Sequence, residues 1–288
     1  MKQLLVLTDF TANSAHAAIT AARLCEKLNT DLLLYHSVAY VPIITDYTYG
    51  AYIPDTAEAL SEESKTRLNK EVEILQSLPH QNPDHYPKIN YESGEGNLEN
   101  NIKALTAKSD ISFVVMGGRS GGGLDHFLSG SETTAVIKES NRPVLIIPEK
   151  ADLSHLKTVV FATDFSTSDV PAMNFLLEMS QRLGFHIEVV HVLQPGQKNN
   201  RIEAEVTFRE YLEGLQQPQI SYRNIYGIHA GPRLQDYCEE TGAALLAMTR
   251  GHHNLISQLF GKSETKGVVT NQHTCALIFP PAFTDQEK

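Results

Sequence analysis

Val114-Val115-Met116-Gly117-Gly118-Arg119-Ser120-Gly121-Gly122-Gly123, running on to Gly130-Ser131-Glu132-Thr133, is the stretch on which the reading of this chain turns. An apolar run short enough for a buried strand stops in glycine, and after a spacer a Gly-Ser pair opens a segment with helical spacing. The pattern predicts a strand, a loop and a helix start. Glycine lets a ligand approach backbone where a Cβ would collide, and N–H groups at a helix N-terminus attract anions, so the layout suits a phosphate. A flexible loop with a well-capped helix leaves the same trace, and the glycines alone keep both readings open.

Working outward, the chain repeats itself. Leu7-Thr8-Asp9-Phe10-Thr11 returns as Ala162-Thr163-Asp164-Phe165-Ser166, and Tyr35-His36-Ser37-Val38 returns as Val190-His191-Val192-Leu193, both at an offset of 155. Later the offset falls to 131, with Arg119 answering to Arg250 and Gly130 to Gly261. The first copy therefore carries 24 extra residues (155 − 131) between its second and fourth strands. A period this long means two whole domains, 1–149 and 156–283, with 150–155 as linker and 284–288 as a tail.

Each copy alternates strand and helix signals, which favours an α/β fold with a parallel sheet. In the first copy strands are expected at Gln3–Leu7, Asp31–Val38, Lys88–Glu92, Ile111–Met116 and Pro143–Ile147. Helices are expected at Ala12–Leu28, Thr56–Leu78, Leu98–Ala107 and Ser131–Glu139. The second copy should repeat the order, with strands at Thr158–Ala162, His186–Val192, Ile220–Tyr226, Ala243–Met248 and Cys275–Phe279. The span 39–55, which holds Tyr40, Tyr47, Tyr49 and Tyr52, has no period and reads as a surface loop, a lid or an interaction loop.

Composition narrows the function classes. At 288 residues, 41% hydrophobic and 20% charged, the chain is that of a globular protein. A formal charge of −10 without a Lys/Arg cluster argues against a nucleic-acid surface, yet a local ring of backbone N–H groups could still hold a phosphate. No apolar run approaches the ~20 residues that span a bilayer, and the N-terminus lacks the apolar length of a signal peptide. Cys25, Cys238 and Cys275 are too far apart for a CxxC pair, which points to a reducing compartment. The expectation is a cytoplasmic protein.

Together, Thr8-Asp9-Phe10-Thr11, the Met116-Gly117 exit, Gly130-Ser131 and Asn141-Arg142-Pro143-Val144-Leu145-Ile146-Ile147-Pro148 resemble the universal stress protein (UspA) family, over essentially the whole chain as two tandem domains. The resemblance implies, for each domain, a five-stranded parallel sheet of order 3-2-1-4-5 with helices on both faces, of the adenine nucleotide alpha hydrolase-like, Rossmann-like type. In that order the crevice opens beyond the carboxyl ends of strands one and four, where Asp9 and the Gly117 loop sit. It also implies a cytoplasmic stress-response protein that binds ATP, with Mg²⁺ able to accompany it, and an internal pseudo-dimer of the two domains that allows a homodimer beyond it.

Nucleotide-binding members carry Gly-x2-Gly-x9-Gly-Ser/Thr. Here Gly117, Gly130 and Ser131 match, and Ser120 stands at the second glycine. Carried over residue by residue, Thr8 and Asp9 would contact the ribose or adenine side, and Val38 would line the adenine pocket. Met116, Gly117, Arg119 and Ser120 would border ribose and phosphates, while Gly130, Ser131, Glu132 and Thr133 would offer helix-start donors. Plain structure competes with two of these readings: Asp9 as the N-cap of the next helix, and Val38 as core. At the offset of 131, Met248 replaces the first glycine of the second copy and Lys262 its Ser/Thr, so that site is expected to be empty or repurposed.

Other chemistry is weaker. Gly261-Lys262-Ser263 resembles the end of a Walker A loop, but Ile256 stands where its first glycine belongs. His126 and His252-His253 could meet as a metal site across the repeats, but no Cys or carboxylate stands at ligand spacing, so no metal is expected. No Ser/His/Asp arrangement or carboxylate pair is fixed by spacing, so no catalytic residue is nominated and a slow ATPase ranks last. The alternative to nucleotide binding is an interaction protein whose paired domains engage protein partners.

Overall fold

Leu4, Leu5, Val6 and Leu7 show how the sheet is built: Leu4 and Val6 enter the core on one face, Leu5 and Leu7 the core on the other. Strand β1 (Gln3–Leu7) is thus buried on both sides, as a central parallel strand must be. A computed structural model describes residues 2–38, 55–80, 82, 85–118, 131–196, 201–250 and 273–283.

The first repeat continues with α1 (Ala12–Leu28), β2 (Asp31–Val38), α2 (Asp55–Gln76), β3 (Ile89–Glu95), α3 (Leu98–Thr106), β4 (Ile111–Gly117), α4 (Ser131–Glu139) and β5 (Val144–Ile147). The second contains β6 (Thr158–Ala162), α5 (Asp169–Leu183), β7 (His186–Leu193), α6 (Ile202–Gly214), β8 (Ile220–Tyr226), α7 (Ala230–Thr241), β9 (Leu245–Thr249) and β10 (Cys275–Phe279). The ten strands form one sheet in the order β3-β2-β1-β4-β5-β10-β9-β6-β7-β8. Each half has the 3-2-1-4-5 order.

The halves meet where β5 and β10 pair antiparallel, Leu145 opposite Leu277; every other pairing in the sheet is parallel. Joining the last strands covers two edges that would otherwise invite pairing with other chains. Helices α1, α2, α5 and α6 share one core face across both repeats, while α3, α4 and α7 cover the other. Buried Ala17, Ala18 and Ala21 let α1 lie close on the sheet, and Asn29 ends it in a left-handed turn at φ 53°.

The structure places the 24 extra residues between β2 and β3, because β3 and β8 already stand 131 apart. It then reveals one residue more in the second copy. Gly96 and Gly227 play the same part, donating to the carbonyls of Val38 and Leu193, but the next helix caps, Asn97 and His229, stand 132 apart. The added residue is Ile228. Beyond it the offset stays at 132, as when Gly118 N–H donates to Ile147 O and Arg250 N–H to Phe279 O. The counterpart of Gly117 is therefore Thr249, and Met248 answers to Met116. This corrects the expectation that Met248 takes the place of the first glycine, since counting residues cannot detect one inserted in a turn.

Candidate functional site

Where the chain leaves β1, Thr8 donates its N–H to Tyr35 O at 2.9 Å, extending the parallel ladder by one bond. Its hydroxyl donates to Glu71 Oε2 at 3.0 Å and accepts the Phe10 N–H at 3.0 Å. Phe10 then turns left-handed, φ 62°, a conformation that costs a residue with a Cβ ~1–2 kcal/mol. Packing holds it there: the His36 ring lies 4.5 Å away and the Arg67 guanidinium of α2 covers its face at 4.1 Å. The same turn recurs at Phe165, φ 66°, packed on His191 at 4.4 Å.

That turn separates Asp9 from the helix. The N-cap of α1 is Thr11, whose side chain accepts the Ser14 N–H, so the N-cap reading of Asp9 is overturned. Asp9 instead accepts both the N–H of Thr11 at 3.0 Å and its hydroxyl at 2.6 Å. Burial works to raise the Asp9 pKa, but the hydrogen bonds from Thr11 and Ser14 together outweigh it and hold the carboxyl below its ordinary value. Asp9 is a fixed negative charge at the mouth. Burial, with Asp9 adding to it, raises the pKa of Glu71.

Across the mouth, Gly117 ends β4 directly against the start of α1. A Cβ there would lie 2.8 Å from the carbonyl carbon and oxygen of Asn13, and Asn13 Nδ2 donates to Gly118 O at 2.9 Å. The glycine is required by the packing of backbone on backbone, whatever else approaches it.

Between these segments opens a cavity of about 1110 Å³. The starts of three helices border it: Thr11 to Ser14 of α1, Asn97 to Glu99 of α3, and Glu132 and Thr133 of α4. The Asn97 side chain caps α3 by accepting the Glu99 N–H, and the Thr11 cap leaves the first-turn amides of Ala12 and Asn13 without an intrahelical acceptor. Three positive dipole ends thus face one space. Four carboxylates, Asp9, Glu99, Glu132 and Glu149, border the same cavity.

Of the residues singled out in the sequence, Thr8, Asp9, Met116, Gly117, Glu132 and Thr133 line this cavity. Ser131 begins α4 beside them. Val38 does not line it: it ends β2, and its carbonyl accepts the Gly96 N–H at 2.9 Å. Arg119, Ser120 and Gly130 lie outside the described residues, as do His126, His252, His253, Gly261, Lys262 and the loop 39–54. Sequence reasoning missed Asn13, His36, Ser37 and Asn97. A cap signal was present in Asn97-Leu98-Glu99, and His36 with Phe10 was visible as a pair that recurs at 155. Among the described residues no group of three or more His, Cys, Asp or Glu could hold a metal, and no helix is long and apolar enough to cross a membrane.

With this geometry, two matches to the model of the universal stress protein family, over residues 1–148 and 155–280, decide the kinship. The chain belongs to the universal stress protein family. A universal stress protein of Mycolicibacterium smegmatis is 22% identical over 191 residues, which is 66% of this chain and 63% of that protein. Among solved structures, a universal stress protein of Archaeoglobus fulgidus superposes with a TM-score of 0.69 at 16% identity, covering 96% of this chain and 98% of the other. A functionally unknown protein of Pseudomonas aeruginosa gives 0.55 at 10% identity, covering 98% and 93%. At these identities the likeness is one of fold.

In this universal stress protein the second mouth is built differently. Asp164, the counterpart of Asp9, is held by Arg201, whose Nη1 lies 2.8 Å from both its Oδ2 and its backbone oxygen. At the position of Ser14 stands Asp169, fully buried at the start of α5. Its carboxylate accepts the Thr163 hydroxyl at 2.6 Å, the Thr249 hydroxyl at 2.8 Å and the Ser166 N–H at 3.2 Å. A carboxylate thus takes up donors at the second mouth, joined by the Thr249 hydroxyl where the first repeat has Gly117. A buried carboxyl group is tolerable there because its oxygens are hydrogen-bonded.

Proposed function

We propose that the mouth of the first repeat binds an adenine nucleotide, ATP above the others, once per chain and without a catalytic cycle of its own. The observation that carries this is the convergence of three helix starts with the Gly117-Gly118 backbone on one large cavity at the switch point between β1 and β4. Its volume of about 1110 Å³ is ample for a nucleotide. The first-turn amides of α1 are donors of the kind a phosphate needs, while the Gly118 N–H is engaged on Ile147 O. Mg²⁺ would enter with the phosphates and offset the four carboxylates around them. The ribose would meet Asp9, whose lowered pKa keeps it an acceptor for hydroxyls.

The second repeat is read as a non-nucleotide domain, because Asp169 and Arg201 occupy the groups a ligand would use. A second reading, in which that half engages protein partners, is favoured by Ile202, Val206, Tyr226 and Ile228, which are 61%, 48%, 73% and 74% exposed. Isothermal titration with ATP and Mg²⁺, and assay of the supernatant from denatured purified protein for ATP, ADP or AMP, test the nucleotide reading. The expected result is one site per chain, weakened by Asp9→Ala and unaffected by Asp164→Ala. Absence of heat up to millimolar ligand, with no nucleotide released, would leave only the interaction reading; a stoichiometry of two would overturn the assignment of the second repeat.

A further inference from the structure

The sheet ends at β3 on one side and at β8 on the other. The duplication allows the two edges to be compared residue by residue. Strand β8 answers to β3 at an offset of 131 (220 − 89), and Phe208 and Leu212 on the buried face of α6 answer to Leu68 and Val72 of α2 at 140 (208 − 68). At three places a polar residue of the first edge gives way to an exposed apolar one at the second: Glu62 to Ile202, Thr66 to Val206 and Glu95 to Tyr226. The residue inserted after β8, Ile228, is exposed and apolar as well. Apolar surface gains nothing by facing water, and since one copy folds without it, the fold does not require it in the other.

These residues run along one edge. Glu205, on the same side of α6, accepts the Tyr222 hydroxyl at 3.1 Å and the Asn224 side-chain N–H at 3.4 Å, so that side of the helix overlies β8. Among the described residues β8 pairs with β7 alone, and the ladder fixes its parity. Ile187 N–H donates to Gln219 O and Gly227 N–H to Leu193 O, so the odd-numbered residues of β8 bond to β7. Tyr222, Asn224 and Tyr226 therefore turn their N–H and C=O groups outward, and Arg233 Nε meets Tyr226 O there at 3.1 Å. The first edge is blunted by Gly94 and by ion-paired charges, Glu62 with Lys65 and Glu92 with Lys108. The second has neither glycine nor proline between Ile220 and Tyr226.

An edge of this kind suits a second copy of the chain. Two copies of formal charge −10 repel, so they can meet only where local charge cancels. Here it does: Arg201 is held by Asp164 at 2.8 Å and Arg223 by Glu188 at 3.1 Å. Antiparallel pairing of β8 with itself about a twofold axis at Asn224 sets Tyr222 against Tyr226 of the second copy, twice, and Arg223 against Ile225. An axis at Arg223 would instead set two guanidinium groups opposite each other.

We propose that the protein forms a twofold dimer through β8, with Ile202, Val206, Tyr226 and Ile228 covered by the second copy and the two sheets joined edge to edge. This commits the interaction reading of the second repeat to one partner. It does not rest on the nucleotide reading, because β8 lies in the other half of the sheet from β1 and β4.

The test is sedimentation equilibrium of the full chain from about 1 to 100 µM, the range in which a small interface dissociates, with and without ATP and Mg²⁺. The mass is expected to rise from 31.9 kDa to twice that value, and nucleotide should not shift it. Ile202→Glu, which copies the first edge, and Tyr226→Glu, which does the same, should each weaken the dimer tenfold or more with the far-ultraviolet spectrum unchanged. Asn224→Pro removes an outward N–H and leaves the β7 ladder intact, and it should weaken the dimer as much. Glu95→Lys, at the other edge, should leave the mass as in the parent. A chain that stays at 31.9 kDa throughout overturns the proposal and leaves the nucleotide reading standing. It falls equally if the dimer survives Tyr226→Glu and Asn224→Pro, if Glu95→Lys dissolves it, or if the mass keeps growing beyond two copies, which would mean β8 pairing with β3.

Discussion

Gly117→Ala is the most direct probe of the mouth. The new Cβ would lie 2.8 Å from Asn13 C and O and 2.9 Å from Ser14 N, where ordinary contact begins near 3.4 Å. The start of α1 must therefore retreat by about 0.6 Å, the 3.4 Å limit less 2.8 Å. It cannot do so freely, because Ala17, Ala18 and Ala21 hold the next turns flat on the sheet and Asn13 is tied to Gly118 O. Overpacking of this kind costs ~1–3 kcal/mol, and in a protein of this size each kcal/mol lowers Tm by ~2–4 °C. Urea unfolding should show the midpoint falling with an unchanged slope. The retreat also moves the Ala12 and Asn13 amides, so ATP affinity should fall tenfold or more, about 1.4 kcal/mol. A variant as stable as the parent to within ~0.5 kcal/mol would refute the argument, because a surface glycine with room beside it behaves in that way.

Four further outcomes follow from the same structure. Asp169→Ala should destabilise the second repeat by ~1–3 kcal/mol or more in urea, the cost of a buried donor left without its acceptor, since it strands the donors of Thr163, Ser166 and Thr249 in the interior. Glu71 has a raised pKa in the folded state, so its contribution is present below the ordinary glutamate value of 4.5 and is lost as pH rises through the folded pKa. Glu71→Gln should therefore gain stability relative to the parent above that pH and match it below; Asp9, with its lowered pKa, has the opposite sign, and Asp9→Asn should lose stability at neutral pH and approach the parent below about pH 3.8. Finally, burial pushes the thiols of Cys25 and Cys238 up to about 12 and that of Cys275 higher still. None should react with a thiol reagent at pH 8 until the protein unfolds, when all three should titrate.

The fold was legible in the sequence because duplication and period act locally. Leu4 to Leu7, Val114 to Met116 and Val144 to Ile147 are apolar runs of strand length, and the spacing of the repeats ordered them without any knowledge of contacts. The lateral order came from the family resemblance instead: 3-2-1-4-5 sets β1 beside β4, and with it Thr8, Asp9, Met116 and Gly117 at one crevice.

What the tertiary structure alone decided are matters of close approach. Thr11 and not Asp9 caps α1, because Phe10 turns left-handed under Arg67 and His36, which come from elements 26 or more residues away. Thr249 and not Met248 faces the second mouth, because Ile228 adds one residue to a turn and every later element is displaced by it, β9–β10 keeping the register of β4–β5. The burial of Asp169 arises where segments distant in the chain exclude water from one another. Local sequence dictates period and propensity, whereas desolvation belongs to the neighbours that only the folded chain brings together.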